Sequence, residues 1–422
     1  MTTTPPTTTP QKSAYRRWYS TLHPSMQLIG LQLWLPLFFI MMFCLCYIAA
    51  FHSPSPHNVP IGFVSTSQSV TDGMSRTLGA TVHIEHFYSV DAAKSAVLHG
   101  QVGVAFDGAT SVLYTAHAHQ VQVASILPQM LAPVFAANGI TPTLDDLAPL
   151  PIWDEFGTVS LYLTLAWCIG GYMVAMFIGL MGAPLRHRTR IAVIVVGGLL
   201  ISLVTNLLAG PFVGAVHGHF LPLVILAWAW IVAIGLTVNG LSYFFGRFIA
   251  VPAMVMFVFL SVPSSGAVFP AWFMPEPFAW LNNVVVGSGI TEMLKRELYG
   301  VGPGFSRGII MLICYAIIGL VLMFTGKKFS DWLRVRRILG SRTTMMADAQ
   351  NANREFMIAD RHKTLKHHGF VSSETGTLSV IAPELAAEER ASMAEEAELA
   401  KGEKRSTADD PIFGSIGHNS GD

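Results

Sequence analysis

The amino-acid sequence predicts a mainly α, polytopic membrane protein with six transmembrane helices and a small α/β extracytoplasmic domain. Three observations carry this prediction. Hydrophobic residues make up 52% of the chain and charged residues only 12%, against about 25% charged in an ordinary soluble domain. Six apolar runs approach or exceed the roughly 20 residues that cross a hydrocarbon core. One long segment, 52–156, has a different texture, with short strand-like and helix-like stretches. The formal net charge is zero, so no global electrostatic attraction to nucleic acid arises and no such partner is expected.

Residues 1–27 form a Thr- and Pro-rich, basic N-terminus with nothing to bury, and they are expected to be disordered and cytoplasmic. Lys12, Arg16 and Arg17 precede the first apolar run, 28–51. That run is longer than the usual signal-peptide core and has no convincing small-residue cleavage site after it, so an uncleaved transmembrane helix is favoured over a signal peptide.

Within 52–156, strands are expected over 59–64, 82–87, 102–106 and 111–115, the last two around the turn Asp107-Gly108. A helix is expected over 72–78, ended by Gly79, and another over 90–98, with Ser89 as N-cap and Gly100 past its end. A third helical pattern, 121–137, contains Pro128 and Pro133, which should bend or break it. Asp145-Asp146 and Asp154-Glu155 read as loop and membrane-entry charges. His83 with His86, or His117 with His119, could share a metal ligand. No Asp, Glu or Cys accompanies them at metal-site spacing, so surface histidines are the better reading, for His217 and His219 as well. Cys44, Cys46, Cys168 and Cys314 all lie in apolar runs, where they serve as small buried hydrophobes.

The other apolar runs are 158–181, 191–213, 220–244, 248–260 continuing toward 268, and 308–324. If the six alternate, most basic loop residues fall on one side, which places both termini in the cytoplasm of a multi-pass plasma (inner) membrane protein. Lys295, Arg296 and Arg307 are the exceptions, with Glu292 and Glu297 partly compensating the first two. The loop Pro184, Leu185, Arg186, His187, Arg188 and Arg190 reads either as simple positive-inside anchoring or as a docking element for a cytoplasmic ATPase. Asn206, Asn239 and Asn282 could line a substrate path or hydrogen-bond between helices. No unpaired ionisable residue sits mid-span, which weighs against an ion-coupled transporter. The tail, 326–422, is expected to be cytoplasmic and largely disordered, with an exposed helix over 383–401.

The stretch 261–300 carries the most information. Pro263, Pro270, Pro275 and Pro277 exclude one regular helix, so a helix end followed by a return is expected, with 266–300 as an outer re-entrant or interfacial segment. Its final arm should be a helix capped by Ser288 and ended by Gly300. In it Glu292 meets Lys295 and Arg296 at spacings of three and four, while Ile290, Leu294 and Leu298 face apolar surroundings.

Ser265-Gly266, Phe269-Pro270, Met274-Pro275 and Trp280-Leu281-Asn282 resemble the last-loop signature of ABC-2 type membrane permeases. Together with the plan of one span, an α/β segment and five further spans, and with Pro60-Ile61-Gly62-Phe63-Val64 and the run from Asp91 to Phe106, the chain is similar to the YhgE/Pip group of ABC-2-like proteins over about 15–335. The resemblance implies a homodimeric or heterodimeric permease in membrane lipid that moves a hydrophobic or amphipathic substrate outward, driven by ATP through a separate ABC ATPase. It also implies the alternative of a non-transporting scaffold or receptor of the phage-receptor or secretion-accessory type. The chain has no G-x-x-x-x-G-K-[ST] loop, so it is not a nucleotide motor by that chemistry. No enzyme motif, catalytic residue or cofactor of its own is expected.

Overall fold

The computed structural model describes residues 22–181, 185–339, 345–368, 370–372 and 378–380, and residue 391. Two compact units emerge, Met1–Trp34 with Ser341–Asp422, and Leu35–Gly340.

In chain order the helices and strands are α1 (Pro24–Gln32), α2 (Trp34–Phe51), β1 (Val59–Val64), α3 (Gln68–Leu78), β2 (Val82–Phe87), α4 (Val90–Leu98), β3 (Val104–Asp107), β4 (Val112–Thr115), α5 (Val121–Ala137) and β5 (Thr143–Asp146). They continue with α6 (Val159–Met181), α7 (His187–Leu207), α8 (Phe220–Phe245), α9 (Ala250–Leu260), α10 (Glu276–Asn282), α11 (Val286–Tyr299), α12 (Ser306–Leu339), α13 (Met345–His367), β6 (Phe370–Ser372) and β7 (Leu378–Val380).

The sheet of the larger unit has the order β2-β1-β3-β4-β5. β1 pairs in parallel with β2 and β3, β4 runs antiparallel to β3, and β5 is parallel to β4. Each parallel pair needs a crossover, and α3, α4 and α5 supply them. Because alternate strand residues face opposite ways, Ile61, Phe63 and Phe106 join α3 and α5 in one core, while Val64, Ala105 and Tyr114 pack under Ala93, Ala96 and Val97 of α4. Ser89 caps α4, its hydroxyl accepting the Ala92 N–H at 3.2 Å. Pro128 and Pro133 do not interrupt α5. Leu127, Leu131, Val134 and Phe135 are buried on its sheet side, and this packing outweighs the donors that the prolines lack.

Among the described residues five helices are long and apolar enough to cross a membrane: α2, α6, α7 with its extension to Phe212, α8 and the first part of α12. They agree with a helical membrane protein. The expected sixth span is shorter than read from the sequence. α9 covers only Ala250–Leu260, contains Pro252 and widens to a π turn over Val255–Leu260 before the chain leaves the helix.

α8 is the central helix and packs against α6, α7 and α12. Small residues permit the approach to α12. A Cβ on Gly240 would lie 2.8 Å from the Gly319 carbonyl oxygen, and one on Gly319 would lie 2.5 Å from the Thr237 nitrogen. Beside this contact Thr237 Oγ1 donates to the Tyr315 carbonyl at 2.8 Å, a hydrogen bond between helices of the kind apolar surroundings favour.

The sheet core and the helix core are continuous. Val59, Ile61 and Leu127 belong to the same buried cluster as Trp167, Trp230 and Phe257. The α/β part therefore does not separate from the bundle.

In the smaller unit, α1 meets α13: Ser25 Oγ donates to Asn353 Oδ1 at 3.2 Å, and His23 lies edge-on to Phe356 at 4.4 Å. Here the tail departs from its expected disorder, since α13 spans 23 residues, with Lys366 and His367 in its last turn, where cations suit the helix dipole. The expected helix over 383–401 lies outside the described residues apart from residue 391.

Candidate functional site

The chain between α9 and α12 builds a buried polar site at the sheet end of the bundle. After α9, Ser261 Oγ accepts the Gly287 N–H in the first turn of α11 at 2.7 Å and Ser265 Oγ accepts the Ala267 N–H at 3.2 Å, so side chains satisfy a free donor at a helix start and one in the backbone that has left a helix. Gly266 then adopts φ +80°, a left-handed conformation that suits glycine. Its carbonyl oxygen accepts from Gln120 Nε2 at 2.7 Å and from Lys295 Nζ at 3.0 Å.

α11 is amphipathic in sequence but buried around most of its circumference, Ile290 and Leu294 being fully enclosed. Its polar side chains reach out to the ends of neighbouring elements. Glu292 forms an ion pair with Arg307 in the first turn of α12, and Arg307 also donates to the Asn282 carbonyl at 2.7 Å. Glu297 Oε1 is 3.0 Å from His219 Nδ1 in the turn before α8. Tyr299 donates its hydroxyl to Asp154, and Asp154 also accepts the N–H groups of Thr158 and Val159 at 2.9 and 3.2 Å where α6 begins. The Gly302 N–H donates to the Leu98 carbonyl of α4 at 2.8 Å.

Around Lys295 lies a cavity of about 250 Å³, lined among others by His119, Gln120, Asn282, Thr291 and Glu292. A smaller one of about 50 Å³ adjoins it through His119, Gln120 and Lys295. Burial pulls the Lys295 ammonium down to about 7, with Glu292 partly opposing this. Burial pushes Glu292 up, countered by Arg307 and then Lys295. Burial, then the charge of Lys295, holds His119 down at about 3, so its ring is neutral near pH 7.

The residues read from the sequence fare unequally. Ser265, Gly266, Pro270, Asn282, Glu292 and Lys295 all line the larger cavity. Phe269 and Met274 enter the core instead, Phe269 stacking with Phe273 at 6.3 Å, and Pro275 precedes α10. Ser288 is not the cap of α11. It is buried within the helix and donates to the Val285 carbonyl at 2.9 Å, whereas Gly300 does end it, at φ +71°. The expected intrahelical pairing of Glu292 with Lys295 and Arg296 gives way to partners outside the helix. Arg307 takes Glu292, Gly266 takes Lys295, and Arg296 donates to the Gly300 carbonyl at 2.9 Å.

Asn206, Asn239 and Asn282 do not share a path. Asn206 donates to the Ser202 carbonyl at 2.8 Å near the start of α8, and Asn239 accepts from Arg190 at 3.3 Å further along it. Asn282 donates to the Ser264 carbonyl at 2.7 Å. The 16 helical steps of α8 from Leu223, whose carbonyl also accepts from Asn206, to Asn239 correspond to about 24 Å.

Of the basic loop, Leu185, Arg186 and Arg188 are exposed, and Pro184 lies outside the described residues. Arg190 is buried in α7 over the Tyr243 ring, and His187 Nδ1 is 3.1 Å from the Tyr243 hydroxyl. His117 and His119 do not converge either: His117 bonds Asp146, with Nδ1 3.0 Å from Oδ2, while His119 turns to the cavity. Among the described residues no group of three or more His, Cys, Asp or Glu could hold a metal ion.

Sequence reasoning missed Gln120 and Thr291, read His119 as a surface histidine and saw Arg307 only as a topological exception. One signal was present. Gly100, read only as a helix end, leaves no room for a side chain because the His119 ring stands 2.3 Å from where its Cβ would be. No protein-family model, curated protein or solved structure matches the chain.

Proposed function

We propose that the chain is the permease subunit of an ABC-2-type exporter, which passes a hydrophobic or amphipathic substrate outward across the plasma membrane with energy from a separate cytoplasmic ATPase. The observation that supports this best is the cavity around Lys295, at the junction of an apolar helix bundle with a folded α/β segment and bounded by the prolines and glycines that follow α9. An exporter needs such a place, where a polar part of the cargo is held as it leaves the bundle. In this reading the sheet lies outside, both termini lie inside, α9 with the stretch after it serves as the sixth crossing, and two copies or two related subunits form the unit. The exposed Arg186 and Arg188 are then the docking points for the ATPase.

The test is reconstitution. Affinity purification of the full chain from its native membrane should recover an ATPase with a phosphate loop, and in vesicles ATP should drive outward movement of a fluorescent amphiphile. Failure to recover any ATPase, together with no ATP-dependent movement, refutes the proposal.

A second reading rests on a different observation. Tyr88 is fully exposed, and the outer strand β5 offers the exposed side chains of Thr143, Leu144 and Asp145. These suit a non-transporting scaffold or receptor that binds a partner through 52–156. Deletion of that segment without loss of any bound partner would dispose of it.

A further inference from the structure

Lys295 is 5% exposed, and among the described contacts its ammonium makes one hydrogen bond, to the Gly266 carbonyl. An ammonium has three donors, so the described contacts leave two of them, on a residue that lines the cavity. The charges around it do not cancel. Arg307 of α12 is matched by Glu292 of α11, among the described residues no other acidic side chain lines the cavity, and His119, from the turn before α5, is neutral. His99, after α4, is the other titratable group in the lining. With Lys295 protonated, Lys295, Arg307 and Glu292 together carry one net positive charge, in a place where an unpaired charge is costly.

The cavity is about 250 Å³, below the range of about 300–1,000 Å³ typical for whole drug-sized ligands. It therefore suits a headgroup rather than an entire amphiphile. Pro270, Ala271, Trp272 and Pro303 give it an apolar side, next to the segment that follows α9.

We propose that this cavity binds the singly charged oxyanion headgroup of an amphiphile, with Lys295 as its counter-ion, and that Thr291 and Asn282 flank the bound group. The assignment rests on the permease reading for its amphiphile but not for its anion. A carboxylate and a phosphodiester share the chemistry, so the probes must separate the sources.

The full chain in non-ionic detergent is titrated with laurate, with dimyristoylphosphatidylglycerol, with the zwitterionic dimyristoylphosphatidylcholine, and with acetate and glycerophosphoglycerol as headgroups without tails. Binding is read from the rise in melting temperature. One or both anionic amphiphiles should bind saturably, and whichever binds identifies the headgroup. Lys295→Gln should weaken binding by about tenfold to a hundredfold, the range of a charge-assisted hydrogen bond, and Lys295→Arg should retain most of it. In the wild type, which needs no variant to fold, affinity for the phosphatidylglycerol should fall as pH rises from about 6 to about 9 and the ammonium loses its proton.

Equal binding of the phosphatidylcholine, an unchanged affinity in Lys295→Gln, or a flat pH profile would overturn the proposal. Tailless anions binding as tightly as the amphiphiles would overturn the amphiphile and leave a small-anion site. No ATPase enters this assay, so Lys295-dependent binding without transport refutes only the permease reading. Transport that persists unchanged in Lys295→Gln refutes only this one.

Discussion

Replacing Lys295 by Met should abolish a pH dependence of stability that the buried ammonium imposes. The side chain titrates near 10.5 when unfolded and near 7 in the folded chain, because burial disfavours its charged form. Between these two values the unfolded state holds more protons than the folded state, so stability rises as pH increases through the window. Below about pH 7 both states are protonated and the full cost of burying the charge is present. At about 1.4 kcal/mol for each pH unit, the whole window corresponds to roughly 5 kcal/mol. Glu292 has the opposite sign, since its raised value makes the folded state the better proton binder, but its window opens at 4.5 and so begins well below that of Lys295. His119, held near 3, adds stability that is complete above about 6.5 and is lost as pH falls toward 3. Melting temperatures of ligand-free protein in a neutral detergent, at steps from about pH 6 to about pH 10, measure the effect. The wild type should gain stability across that range. Lys295→Met, which keeps the volume but not the charge, should be flatter and no less stable than wild type near neutrality, despite losing the bond to Gly266. A Met variant that keeps the wild-type slope above pH 7 would refute the argument, because the titrating group would then lie elsewhere.

Four further outcomes follow from the same contacts. Arg307→Ala leaves Glu292 without its counter-ion and, with both side chains partly exposed, should cost about 1–2 kcal/mol, most of it recovered in the Glu292→Gln, Arg307→Ala double variant; additive losses in a thermal-melt cycle would contradict a direct pair. Gly319→Val forces a branched side chain against the backbone of α8 and should destabilise by about 3 kcal/mol or more, read as lost monodisperse protein in detergent, whereas the same change at Gly197, where a Cβ would meet nothing closer than the Val174 side chain at 3.4 Å, should cost far less. Asp154→Ala removes the acceptor for two N–H groups and the Tyr299 hydroxyl and should cost about 2 kcal/mol, with Asp154→Asn recovering part of it; equal losses in the two variants would be the wrong result. Charge reversal in Glu292→Lys should impair export or dimer stability more than truncation after Gly340, and the opposite ranking would refute the placement of function at α11.

How much of this was legible in the sequence depends on the range of the forces involved. β1 and β2 form with the bounds their apolar, β-branched runs suggested, because both ends are punctuated locally and the pattern of a strand is short. β5 escaped notice because Thr143–Asp146 is polar and mostly exposed; its partner β4 and the bond from Asp146 to His117 hold it, and neither has a local signal. The prolines of α5 misled for the complementary reason, since a local rule was overruled by burial against the sheet. At the site, Glu292 and Lys295 were found from spacing and Gly266 from the resemblance of the last-loop signature, but their pairing was not. Spacing on one helix proposes neighbours at three and four residues. On a buried helix those neighbours lose to partners on other elements that also satisfy desolvated groups, as Arg307 and the Gly266 carbonyl do here.

The same competition explains why α11 is the element through which the sheet end is joined. Four of its polar side chains reach four different places: Lys295 the return after α9, Glu292 the start of α12, Glu297 the turn before α8, and Tyr299 the start of α6. The chain just beyond it bonds α4 through Gly302. None of these contacts is large, but each fixes the end of a different apolar helix or the edge of the α/β segment, while Ile290 and Leu294 anchor α11 itself in the common core. A rigid displacement of α11 would have to break several buried polar contacts at once, each expensive to leave unmade. A change of charge at Lys295, by contrast, alters its bond to Gly266 and the field on Glu292 and His119 while leaving the contacts of Glu297 and Tyr299 in place. In the exporter reading proposed above, the cavity beside Lys295, rather than the asparagines of the bundle, is then where a bound group would bias the arrangement of the helices.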